Sequence, residues 1–124
     1  MGQKILIVGG VAGGASAAAR LRRNNEEDQI IMFEKGHHVS FSNCSLPYHL
    51  SGIVPQTDDL VLMTPDLFAS QYNIEARVRH EVIKINRKEK QITVKNLENG
   101  ETYKETYDKL ILSPGASPIV PNIP

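Results

Sequence analysis

Lys4-Ile-Leu-Ile-Val8 runs straight into Gly9-Gly-Val-Ala-Gly-Gly14, and Ala15-Ser-Ala-Ala-Ala-Arg-Leu-Arg-Arg23 follows. The first run is short, apolar and rich in β-branched residues, the pattern of a strand buried on both faces. The third reads as a helix whose small residues near its start let it pack closely on a sheet. Asn24–Asp28 is polar, and Gln29-Ile-Ile-Met-Phe-Glu34 reads as a second buried strand that ends in an acid. Strand, glycine turn, helix and strand make one βαβ unit, since parallel strands require such a crossover. The expected fold class is therefore α/β, with a Rossmann-like βαβ unit and a parallel sheet.

Further along, Gly36–Ser42 is expected to be a loop and Cys44–Leu50 a short helix ended by Gly52. Thr64-Pro65-Asp66 has the chemistry of a helix start, Thr64 as N-cap and Pro65 in the first position, and that helix should run to about Tyr72. From Ile74 onward the pattern changes to strands. Glu81–Asn86 and Gln91–Lys95 alternate around a turn at Arg87–Lys90, and Glu98-Asn-Gly100 supplies another turn before Thr102–Tyr107. This predicts a small antiparallel β-meander. Lys109–Leu112 reads as a buried strand, followed by Ser113-Pro-Gly-Ala116 and a Pro-rich stretch, Ile119–Pro124.

The 124 residues fit one domain or part of a larger one. Lys+Arg and Asp+Glu balance at 14 each, so net charge gives no sign of a nucleic-acid or membrane partner. The apolar runs fall well short of the ~20 residues that cross a bilayer. Met1–Val8 enters the glycine turn without a cleavage-like segment, so a cytoplasmic protein is expected. One cysteine and four histidines, none in ligand spacing, predict no metal. Asn43-Cys44-Ser45 matches the glycosylation pattern by chance on this reading.

Two features carry chemistry. A glycine turn between strand and helix brings backbone N–H groups and the helix's positive end to a pyrophosphate. Glu34, 25 residues after Gly9, is placed to accept from ribose hydroxyls. The pattern departs from G-x-G-x-x-G, because Val11 holds the middle position between Gly9 and Gly14. A generic tight turn without a ligand is the competing reading. The second feature is Cys44, at the expected N-terminus of a short helix, where thiol pKa values fall. A buried structural cysteine is the alternative.

Three blocks, Ile7–Ser16, Ser40–Tyr48 and Tyr107–Ala116, together resemble the single-cysteine branch of the pyridine nucleotide-disulfide oxidoreductases, and within it the coenzyme A-disulfide reductases. The resemblance spans essentially the whole chain and implies the N-terminal portion of a FAD-binding domain over residues 1–124, with the nicotinamide-binding and dimerisation domains elsewhere. It implies FAD as cofactor, with Gly9 and Gly14 at its pyrophosphate, Glu34 on the ribose, Lys35 beside the adenine, and Val82, Ser113 and Gly115 as further contacts. Cys44 matches the redox cysteine and Asn43 its neighbour at both flavin and substrate. Ser16, Arg20, Arg23, Ser40 and Asn43 match positions for coenzyme A. Arg20 and Arg23, one helical turn apart, suit a multiply phosphorylated ligand; a solvated basic face is their alternative. Where the family places a substrate lysine, this sequence has Tyr72.

The implied reaction passes reducing equivalents from NADH or NADPH, bound outside this chain, through FAD to coenzyme A disulfide by way of a mixed disulfide at Cys44. A homodimeric full-length protein is implied as well. A persulfide or polysulfide reductase, an oxidase or peroxidase working through a Cys44 sulfenic acid, and a non-catalytic nucleotide-binding module are the other readings.

Overall fold

A computed structural model describes residues 2–56, 60–116 and 119–123, with the side chain of Asn43 outside the described part. Pro124, the last residue of the Pro-rich stretch, is outside it too. The chain order is β1 (Lys4–Val8), α1 (Ala12–Asn24), β2 (Gln29–Glu34), α2 (Leu46–Leu50), α3 (Pro65–Tyr72), β3 (Glu75–Val78), β4 (His80–Asn86), β5 (Gln91–Asn96), β6 (Thr102–Thr106) and β7 (Lys109–Leu112). Four strands form a parallel sheet in the order β3-β2-β1-β7, and β4-β5-β6 form a separate antiparallel meander. This is the expected α/β class.

The period of two in β1 and β2 sorts their apolar residues onto two faces. Ile7, Ile30 and Met32 pack with Ala18 of α1 and with Val39, Phe68 and Ile74. Leu6, Ile31 and Phe33 point the other way and pack with Ile92 and Val94 of β5. Both faces are thus covered, one by helices and one by the meander, which is why these strands carry no polar alternation. Register follows, with Ile7 opposite both Met32 and Ile111.

Helix α1 buries Gly14, Ala18 and Arg22, a four-residue spacing that lies along one face. A Cβ on Gly14 would collide with the Gly9 carbonyl, so glycine sets how closely the helix approaches the turn. At the far end of the same face, Arg22 donates from Nε to Tyr72 O at 2.8 Å and from Nη2 to Asn73 O at 3.0 Å. These bonds tie α1 to the end of α3. Helix α3 starts as expected, with the Thr64 hydroxyl accepting from Leu67 N at 3.2 Å. It stops at Asn73, whose φ of 52° is left-handed.

Two expectations need correcting. Lys109–Leu112 forms a strand, but not a buried one: β7 is a sheet edge with Leu112 57% exposed. Cys44 does not open an α-helix but sits inside a 3-10 turn, Asn43–Ser45, just before α2. Pro47 in the first turn of α2 fixes that helix's start one residue after the 3-10 turn.

Candidate functional site

The carboxyl ends of β1 and β2 open into a cleft whose walls include Val8, Gly9, Glu34, Lys35, Val82 and Pro114. Gly9 has φ of 97°, and a Cβ there would run into the Ser113 carbonyl, so the turn demands glycine twice over. Ser113 N in turn donates to Val8 O at 2.8 Å, which fastens the β7 exit against this turn. Val11 has a negative φ of −95°, so the middle position does not call for the left-handed backbone that favours glycine.

The Glu34 carboxylate is fixed by the backbone. One oxygen accepts from Gly10 N at 3.0 Å and the other from Gly36 N at 2.8 Å. Each carboxylate oxygen has further lone-pair capacity, enough to accept from a diol such as a ribose. The first turn of α1 has neither a side-chain cap at Val11 nor an acidic residue. Helix starts of that kind attract anions through their open N–H groups and positive end. A fixed acid for sugar hydroxyls and an uncapped helix start for phosphate fit a dinucleotide such as FAD.

Two adjoining hollows lie beyond the helix start and share Ser16, Ser40 and Leu62. One is completed by Cys44, the other by Arg23 and Tyr72. Ser40 takes a left-handed φ of 52°, held by its N–H donating to Gly10 O at 2.7 Å and its carbonyl accepting from Leu62 N at 3.1 Å. The loop that carries Cys44 is therefore pinned to the glycine turn.

Cys44 is free and exposed. The Ser42 hydroxyl lies 3.6 Å from its sulfur and 2.8 Å from the Ser45 hydroxyl. Hydrogen bonds from Ser42, and then from Ser45, hold the Cys44 thiol pKa below its ordinary value. The helix-terminus argument from sequence therefore reached the right direction through a different cause.

Of the residues singled out from sequence, Gly9, Glu34, Lys35 and Val82 meet at the cleft, while Ser16, Arg23, Ser40 and Cys44 meet at the hollows. Gly14 is buried under Gly9, and its role in the structure is packing. Arg20 is exposed on α1. Gly115 is exposed with φ of 72°, and its neighbour Pro114 is the residue at the cleft. Sequence reading passed over Ser42, Ser45 and His80. The two serines flank the cysteine closely enough to be found as hydroxyl donors, whereas nothing local marked His80, which lines the cleft from β4. Among the described residues no cluster suited to a metal occurs, and no helix is long and apolar enough to cross a membrane.

Known proteins with this arrangement are recognisable in both sequence and fold. The coenzyme A disulfide reductase of Staphylococcus haemolyticus is 46% identical over 114 residues, which are 92% of this chain and 26% of the relative. The crystal structure of reduced Bacillus anthracis CoADR-RHD matches with a TM-score of 0.93 and 55% identity, covering 100% of this chain and 22% of that one. A NAD-dependent persulfide reductase from A. fulgidus matches with a TM-score of 0.90 and 31% identity, over 97% of this chain and 23% of its own. The chain thus spans about a quarter of the length of these relatives. Residues 3–124 also fit the family model for pyridine nucleotide-disulphide oxidoreductases, whose members use FAD and NAD(P)H. The chain belongs to the pyridine nucleotide-disulphide oxidoreductase family.

Proposed function

We propose that this chain supplies the FAD-binding, thiol-bearing part of an NAD(P)H-dependent reductase of coenzyme A disulfide, with Cys44 as its one redox cysteine. The observation that carries the reading is the pair of joined hollows, one ending at Cys44 and the other at Arg23, with Ser16 and Ser40 shared between them. A thiol in one hollow and an arginine in the next suit a substrate that is both a disulfide and phosphorylated. The similarity to coenzyme A disulfide reductases supports it from a second direction.

In this reading Gly9, the α1 start and Ser113 hold the FAD pyrophosphate region, Glu34 takes the ribose, and Lys35 and Val82 border the adenine. Gly14 keeps α1 seated, and Gly115 lets the chain leave the cleft. FAD, when bound, relays electrons from NADH or NADPH to the active-site sulfur. Cys44 attacks one sulfur of the substrate disulfide as the thiolate, forms a mixed disulfide and releases the other half as a thiolate, which takes up a proton. Hydrogen bonds from the Ser42 and Ser45 hydroxyls lower the Cys44 pKa and so favour the thiolate for that attack. Ser16, Arg20, Arg23, Ser40 and Asn43 orient the substrate, with Asn43 also beside the flavin. The nicotinamide site and the dimer contact belong to parts of the enzyme outside this chain.

Reduction of a persulfide is the second reading, favoured by the 31% identical persulfide reductase. NAD(P)H-dependent thiol release from coenzyme A disulfide and from coenzyme A persulfide by the holoenzyme separates the two. Cys44→Ser should keep bound flavin and lose thiol release. Full activity in that variant would sink the catalytic assignment.

A further inference from the structure

We infer that Arg77, which lies outside the cleft, is a positioning residue that holds the cleft's far wall in place and so sets how tightly the nucleotide is bound. The inference rests on the FAD reading above. The cleft lies between two sheets: β1 and β2 form one wall, and the start of β4, with His80 and Val82, forms the other. What keeps the second wall at its distance from the first is therefore a question about the junction between parallel sheet and meander.

Arg77 sits at that junction, on the edge strand β3 opposite Phe33 of β2. Its guanidinium lies 5.5 Å from the Phe33 ring centroid and 5.8 Å from that of Tyr103 on β6, bridging one aromatic from each sheet. From Nη1 it donates to the Tyr103 hydroxyl at 3.1 Å and to Glu105 at 3.2 Å, and from Nε it donates to Glu75. Glu105 takes a second cation, Lys4, from β1. A planar fork serving two carboxylates, a hydroxyl and two rings is a task only arginine can perform. Burial opposes the charge on Arg77, but the bonds to Glu75 and Tyr103 more than offset it and raise its pKa above the ordinary value.

The cluster reaches the cleft by two contacts. Phe33 is itself part of the cleft lining. Tyr103 packs edge-on against the His80 ring at 6.1 Å between centroids, and His80 is oriented further by Nδ1 bonding to Val78 O at 2.8 Å. Arg77 thus steadies Tyr103, Tyr103 steadies His80, and both walls of the cleft are referenced to one side chain. Loss of Arg77 frees the Tyr103 and His80 rings to move and lets the far wall drift from Glu34.

The test is a set of FAD dissociation constants on the holoenzyme after flavin removal and titration, at a temperature well below unfolding. Arg77→Leu and Tyr103→Leu should each weaken FAD binding about tenfold, and the double variant should be scarcely weaker than either. Cys44 alkylation by iodoacetamide should be unaltered in all three, since the thiol lies at the other hollow. A dissociation constant for Arg77→Leu within twofold of the parent, or fully additive losses, would overturn the inference. Should Arg77→Leu fail to fold, Arg77→Lys carries the test, because it keeps the charge without the fork; binding as tight as the parent's would overturn the inference equally. A parent enzyme that takes up no FAD refutes the functional reading instead, so the two failures are distinguishable.

Discussion

Around Cys44 the chemistry is set by hydroxyl groups that occupy neighbouring positions in the chain. Ser42 bonds to both the sulfur and Ser45, so a charge on the sulfur is met by the Ser42 O–H, which can itself accept from Ser45. Because these lower the thiol pKa, the thiolate is present at a lower pH than for a free cysteine. Ser42→Ala removes the larger contribution and should shift the alkylation-versus-pH curve of Cys44 upward, slowing alkylation at neutral pH by roughly threefold. An unmoved curve would take Ser42 out of the account. Cys44 was legible in the sequence, whereas Ser42 and Ser45 were passed over, since their bonding depends on the 3-10 turn that brings the hydroxyls to the sulfur. Arg22 shows the opposite failure. In the run Arg20-Leu-Arg-Arg23 all three cations look alike, yet Arg22 is buried and spends its donors on Tyr72, Asn25 and Asn73 carbonyls. The only clue was its place in the four-residue series Gly14, Ala18, Arg22.

At the scale of elements, the glycine turn and α1 behave as one piece. Gly9 is needed for its positive φ and Gly14 for its contact with the Gly9 carbonyl, while Val11 keeps a negative φ. Gly14→Ala forces the helix off the turn and should cost about 1–3 kcal/mol by denaturant unfolding, as overpacking does elsewhere. A midpoint equal to the parent's would mean that α1 shifts without resistance. Element types were largely readable because β1, β2, α1 and α3 carry strong local signals: β-branched runs, small-residue spacing, and the Thr64-Pro65 start. The burial of β7 was misjudged because Lys109-Leu-Ile-Leu112 looks the same at an edge as in the middle of a sheet. Strand order is a long-range property, and four residues do not encode it.

For the molecule as a whole, the decisive arrangement is a parallel sheet covered by helices on one face and by the meander on the other. That second junction is sealed by Leu6, Ile31, Phe33, Ile92 and Val94 and ringed by the charges of Lys4, Arg77 and Glu105. Burial works against the Glu105 carboxylate, yet the bonds from Lys4 and Arg77 hold its pKa below the usual carboxylate value. Its folded-state pKa therefore lies below its unfolded one. Its contribution to stability is in force above the unfolded value and disappears as the pH falls through the folded value. Denaturant midpoints should drop on acidification, and Glu105→Gln should be less stable at neutral pH with a shallower acid loss; an identical slope would show that Glu105 has no part in it. Arg77 in the middle of β3 was unreadable as a junction residue, because a charge on a short strand suggests solvent until both sheets are in place.

The start of α1 is finished by no side chain of its own. Were FAD to complete it, as proposed above, a bound molecule would do the work that Ser, Thr or Asp does at other helix starts. Every molecule bound there deepens the folded state by mass action. On that reading the protein with its cofactor bound would open less often, and be cut by proteases more slowly, than the same chain without it.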